Sequence, residues 1–201
     1  MAVRIYKTDT PECVSAALRF YGACPPEHKP RGVRAVSSTL WCYKYVRGAH
    51  NTSWQHIRSM MQHIYKPAPI TREQRERYFA YVHSLWPCSV LEPILTDELT
   101  GCEVIHGDLT FSNVIGHVFI DPGHDRGLPC RELDEAKLMQ SIDGWEHVYR
   151  GWPQVKYDSF PARRIHWVLL LTHYIRMLRH VGEIGQDFAR RRIDAITYLL
   201  S

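Results

Sequence analysis

The stretch from Val104 to Asp121, Val-Ile-His-Gly-Asp-Leu-Thr-Phe-Ser-Asn-Val-Ile-Gly-His-Val-Phe-Ile-Asp, constrains this chain more than any other. Val114-Ile115 and Val118-Phe119-Ile120 flank Gly116-His117. Two short β-branched or aromatic runs around a two-residue turn led by glycine predict a tight hairpin, because glycine supplies the positive φ such turns need. The hairpin brings Asn113 and Asp121 side by side at its open end, with Asp108 on the loop that feeds it. Two oxygen ligands and a neighbouring carboxylate make a candidate Mg²⁺ and general-base site.

The rest of the chain bounds what such a site can serve. At 201 residues it can hold one domain, or two small lobes with a sizeable core. A net charge of +4 allows an anionic ligand such as a nucleotide, but lacks the dense basic stripe of a nucleic-acid binder. Cys13, Cys24, Cys42, Cys88, Cys102 and Cys130 are scattered and form no CxxC pair, which points to free thiols in a reducing cytoplasm. The first residues lack the apolar run of a signal peptide. The most apolar window, Ile165 to Leu178, contains His166, His173 and Arg176 and is too short to span a bilayer. A soluble cytoplasmic protein with no membrane or nucleic-acid partner is expected.

Taken in order, Ala2 to Lys7 alternates like a strand, with Val3 and Ile5 on one face. Thr10 is a candidate N-cap with Pro11 at the first helical position and Glu12 at the positive end of the dipole, for a helix running to about Tyr21 and stopping at Gly22. Val33 to Val46 predicts two strands with a break near Ser37-Ser38. Helix follows. Ser53 or Thr52 caps a segment carrying Trp54, Ile57, Met60, Met61 and Ile64, and Thr71 caps another to about Leu85. A weaker helix is expected over Val90–Leu99, then a loop over Pro122–Arg131 after the hairpin. Further helices are expected over Leu133–Ile142, Ala162–Val181 and Gln186–Leu200.

His106-Gly107-Asp108-Leu109-Thr110-Phe111-Ser112-Asn113, then Ile120-Asp121-Pro122-Gly123, then Asp134-Glu135-Ala136-Lys137-Leu138 with Ser141, resembles the aminoglycoside phosphotransferase and choline-kinase-like group. These are small-molecule kinases with the protein-kinase-like fold, and the wording is closest to bacterial sugar- or polysaccharide-associated members. The resemblance covers roughly residues 104 to 141. It implies an α+β, two-lobed fold, with a reduced N-terminal lobe over about 1–48 and a mainly helical lobe over about 49–201. It further implies that Asp108 accepts the proton of a substrate hydroxyl, that Asn113 and Asp121 hold Mg²⁺, and that ATP or GTP is the phosphate donor. His106 supports the catalytic loop, and Asp134 pins it from the start of a helix. Lys7 matches the phosphate-binding lysine strand, with Glu12 as its only early-helix partner, and the backbone around Tyr45 and Val46 would meet the adenine. The segment before Lys7 departs from the family, since it has no room for a glycine-rich, phosphate-covering hairpin.

Each residue also has a simpler reading. Asp108 and Asn113 suit turns, Asp121 a strand end, Lys7 an exposed strand end, and Glu12 a helix dipole. His56 and His63 share a helical face but lack a third ligand for zinc. His124, Asp125 and Arg126 follow Asp121 on a loop that would face substrate or only solvent. The function expected is Mg²⁺-dependent transfer of a nucleotide γ-phosphate to the hydroxyl of a small molecule such as a sugar or amino alcohol. Two alternatives stay open: a nucleotide-binding pseudokinase or interaction module, and a minimal kinase with a protein acceptor. Gly107 and Pro122-Gly123, in place of protein-kinase wording, disfavour the last. Exposed strand edges in the small lobe would allow a homodimer.

Overall fold

The computed structural model describes residues 3–124, 126–153 and 160–201, and they form an α+β molecule. Strand β1 (Arg4–Thr8) leads into helix α1 (Pro11–Ala23), followed by β2 (Arg34–Ser37) and β3 (Leu40–Lys44). The sheet order is β1-β3-β2, antiparallel throughout, so β3 is central and β1 forms one edge. Ala2, expected in the first strand, lies outside the described residues. The Thr10 hydroxyl accepts the Cys13 N–H and caps α1, with Pro11 at its start. The helix runs through Gly22 and ends at Ala23, where Cys24-Pro25 turns the backbone extended. The expected break near Ser37-Ser38 is the turn at Ser38-Thr39 between β2 and β3, and the register shifts just before it, between Ala35 and Ser37.

Helix α2 (Trp54–Gln62) is capped by Ser53. Helix α3 (Arg72–Leu85) carries a full capping box, Thr71 with Gln74. The helix expected over 90–99 is broken into a 3₁₀ turn at Ser89–Leu91 and the short α4 (Pro93–Thr96), since Pro93 has no N–H to continue the ladder. The predicted hairpin forms as β4 (Val114–Ile115) and β5 (Val118–Phe119), turning at Gly116 with φ +59°. Helix α5 (Arg131–Ile142) follows, then α6 (Trp145–Arg150), α7 (Arg164–Met177) and α8 (Glu183–Leu200). Sequence periodicity gives no sign of α6, which is six residues long and bounded by Gly144 and Gly151, both at positive φ.

One core runs through the sheet-bearing and helical segments alike, from Val14, Phe20 and Trp41 through Phe119 and Leu138 to Ile193. Helix α7 is apolar nearly all round and lies within this core, with Val168 to Leu171 buried. Each such side chain contributes about 1.5–3 kcal/mol relative to exposure. All six cysteines are unpaired. No helix among the described residues is long and apolar enough to cross a membrane.

Candidate functional site

Helix α5 holds the loop that carries Asp108. Asp134, Lys137 and Ser141 are spaced by three and four, which puts them on one helical face, and all three reach the same loop. The buried Asp134 carboxylate accepts the His106 N–H through Oδ2 and the Gly107 N–H through Oδ1, each at 2.7 Å, and the Tyr65 hydroxyl at 3.2 Å. Burial pushes this carboxyl up to about 7, while its three donors favour the charged form. The Ser141 hydroxyl accepts the Phe111 N–H at 3.1 Å and donates to Glu146 at 2.8 Å. The loop's backbone is thus fixed at both ends from one helix.

His106 is fully buried, and burial holds its imidazole down to about 4. Neutral, it accepts the Asp108 N–H at Nδ1 (3.3 Å), so the proton sits on Nε2 and is donated to the Ile120 carbonyl at 3.0 Å. It thereby ties the Asp108 loop to the residue preceding Asp121. Phe20 packs edge-on against its ring, with centroids 4.9 Å apart. Gly107 has φ +76°, and a Cβ there would meet the Gly123 carbonyl carbon at 2.9 Å. The Gly123 N–H donates to the His106 carbonyl at 2.8 Å, so the two glycines let two backbones touch beside Asp108.

Asp108 is 42% exposed, within reach of a ligand, and it is paired from both sides. Lys137 Nζ lies 3.1 Å from its Oδ1, and the Asn113 amide donates to its Oδ2 at 2.8 Å and to its carbonyl at 2.8 Å. Partial burial raises its carboxyl, but Lys137, His106 and the Asn113 amide outweigh that and leave it below the ordinary aspartate value. At the hairpin's open end the Ile120 N–H donates to the Asn113 carbonyl at 2.8 Å. Asp121 follows at φ +50°, an uncommon conformation for a residue with a Cβ. Its Oδ2 lies 2.7 Å from Lys7 Nζ and its Oδ1 accepts the Tyr43 hydroxyl at 2.8 Å. Burial and the Asp121 carboxylate both push the Tyr43 phenol up, which keeps it a donor.

Asp108, Asn113, Asp121 and Lys7 are therefore brought together, supported by His106 and Asp134. Glu12 is not part of the group. It is exposed in the first turn of α1, and Lys7 pairs with Asp121 instead. The Tyr45 N–H donates to the Val3 carbonyl at 2.9 Å as a continuation of the β1–β3 ladder, and Tyr45 and Val46 line a cavity at the hairpin tip. Asp125 lies outside the described residues, and the Arg126 N–H bonds His124 Nδ1 at 2.8 Å. Lys137 and Tyr43 were not singled out as site residues from sequence. The three-residue step from Asp134 to Lys137 was a usable signal for the first; only sheet register places the second.

Among the described residues no group of three or more His, Cys, Asp or Glu side chains is arranged to hold a metal. At the hairpin base the donors are one carboxylate, Asp121, and the amide oxygen of Asn113, whose nitrogen is turned to Asp108. An oxygen-only set this small suits Mg²⁺, which keeps water and phosphate oxygens among its ligands, and does not suit zinc. Comparison with family profiles, characterised proteins and solved structures gave no match to this chain.

Proposed function

We propose that the protein is a phosphotransferase of protein-kinase-like, two-lobed design, moving a nucleotide γ-phosphate to the hydroxyl of a small molecule such as a sugar or amino alcohol. The observation that carries the reading is the pairing of Lys7 with Asp121 beside an Asp108–Asn113 contact, because it joins a strand lysine, two acids and an amide from distant parts of the chain. Asp108 takes the proton of the acceptor hydroxyl as its oxygen bonds the γ-phosphorus. The bond to the nucleoside diphosphate breaks, and the diphosphate leaves. Lys137 keeps Asp108 ionised and lies where it would also offset charge on the transferred group. Lys7 exchanges Asp121 for phosphate oxygens when the donor enters, freeing Asp121. Mg²⁺, when bound by Asp121 and Asn113, supplies neutralisation of the phosphate charge. With the Tyr45 N–H already used, backbone contact to the base falls on Val46.

A thermal-shift comparison with ATP and GTP, with and without Mg²⁺, tests the reading. Stabilisation that needs both nucleotide and metal, and that Asp121→Asn removes, is the expected outcome. No stabilisation by either nucleotide under any condition contradicts it.

One observation favours a second reading, a nucleotide-binding module without transfer. Lys7 and Asp121 satisfy each other, and no strand among the described residues pairs with the outer edge of β1 to cover them. Nucleotide binding without transfer to any acceptor, unchanged in Asp108→Ala, would select this alternative.

A further inference from the structure

A cavity of about 730 Å³ opens at the tip of the β4–β5 hairpin, within the size range of small-molecule sites. It lies between the hairpin tip, the end of β3 and the Pro26–Arg31 segment. Lys7, Asp108 and Asp121 are not among its walls, whereas Tyr45 and Val46 are, so the cavity borders the backbone proposed to meet the base but not the reacting groups. Lys29, Arg31, Lys44 and Arg47 surround it against a single acid, Glu27. None of these four cations is in an ion pair with another described residue. Val3, Pro26, Pro30 and Val118 supply an apolar wall.

The sheet register makes this charge costly. Arg4 stands directly opposite Lys44 in the antiparallel β1–β3 pair. Because the Tyr45 N–H donates to the Val3 carbonyl at the neighbouring pair, Arg4 and Lys44 form a non-hydrogen-bonded pair, the kind whose side chains lie closest. Like charges opposite one another in a sheet repel. The Lys44 N–H donates to the Arg31 carbonyl at 2.8 Å, which brings a third cation alongside. At Gly32, next in sequence, Arg4 Nη1 and Lys44 Cγ would lie only 3.5 and 3.6 Å from an added Cβ. Arg4 is answered by carbonyl and sulfur contacts, Gly32 O and Cys42 Sγ, rather than by a carboxylate. The fold therefore tolerates a concentrated positive charge beside an apolar pocket, and a bound anion would relieve it.

We propose that this cavity is a second ligand site, separate from the Asp108 centre, for a small phosphate monoester with an apolar or aromatic body. The phosphate, near −2 at neutral pH, meets Arg31 and Lys44, while the body lies against Val3, Pro26 and Val118. The site stands whether or not the protein transfers phosphate.

Titration calorimetry with phenyl phosphate, inorganic phosphate and phenol on the full chain tests it. Phenyl phosphate should bind, more weakly at higher salt; inorganic phosphate should bind at least tenfold more weakly, and phenol not measurably. Lys44→Glu is the decisive variant. It replaces a repulsive cross-strand pair by an attractive one, so Tm should hold or rise while phenyl phosphate affinity falls at least tenfold. Arg31→Ala should lower affinity too, and Lys7→Ala should leave it unchanged. Binding that survives Lys44→Glu, or that disappears in Lys7→Ala instead, would overturn the proposal, as would failure of phenyl phosphate to bind.

Discussion

Asp108 and Lys137 form the pair on which the proposed chemistry turns. A carboxylate 3.1 Å from an ammonium is held ionised but made a weaker base, and under the proposed transfer that sets where activity switches on as pH rises. The Asp108 carboxyl already lies below the ordinary aspartate value, with Lys137 the largest of the groups lowering it. Lys137→Ala removes that influence and raises the pKa, so the acidic limb of the pH dependence of kcat/KM moves to higher pH. Loss of a positioned positive charge should also reduce the maximal rate by about 10²-fold, with partial rescue in Lys137→Arg. An unshifted acidic limb would mean that Lys137 only packs. Asp108 itself was legible from its place in the motif, but its partner was not, because nothing in a linear sequence says which helix will lie under a loop.

At the scale of elements, α5 is the part that other parts are fastened to. Asp134 satisfies two buried backbone N–H groups of the Asp108 loop, so Asp134→Ala leaves both without partners at about 1–3 kcal/mol each. Chemical denaturation should report a loss of about 2–6 kcal/mol, and hydrogen exchange at the Gly107 amide should quicken. One residue on, Glu135 faces the other side of the helix. Arg58, Arg131 and His166 meet it at 2.8, 2.9 and 2.9 Å. Burial alone would raise its carboxyl, but these partners hold it down to about 2 against an ordinary 4.5. The sign follows from that depression. The contribution is fully present above about pH 4.5 and is lost as pH falls toward 2. It corresponds to about 3 kcal/mol at ~1.4 kcal/mol per pH unit. Glu135→Gln should flatten the acid limb of a stability–pH curve in that window and lower stability at neutral pH. The caps of α1, α2 and α3 and the Gly116 turn could be read directly, since Thr10, Ser53, Thr71 and Gly116 act on their immediate neighbours. The break at Pro93 is legible in the same way, since proline cannot continue a helical ladder. The α6 turn was not available, because six residues give too little periodicity to detect.

For the molecule as a whole, a three-stranded sheet and a set of helices share one core, and the candidate site lies where the sheet's Lys7 and Tyr43 meet the hairpin's Asp121. Of the two readings open for Glu12, the helix-dipole one fits its exposed place in the first turn of α1, and Lys7 meets Asp121, 114 residues away in sequence, instead. The cationic cavity at the hairpin tip was equally hidden, because Arg4, Arg31 and Lys44 are scattered and become neighbours only through strand register. The central claim is phosphoryl transfer by Asp108 with Asn113 and Asp121, and its most direct measurement is transfer of label from γ-labelled ATP or GTP. It should be run with Mg²⁺ against a panel of sugars, amino alcohols, nucleosides and the protein itself. The account predicts labelling of a small-molecule hydroxyl that falls about 10²- to 10⁴-fold in Asp108→Asn and at least as far in Asp121→Asn. Transfer that persists undiminished in Asp108→Asn, or no transfer to any acceptor by a protein that binds the nucleotide, would contradict it.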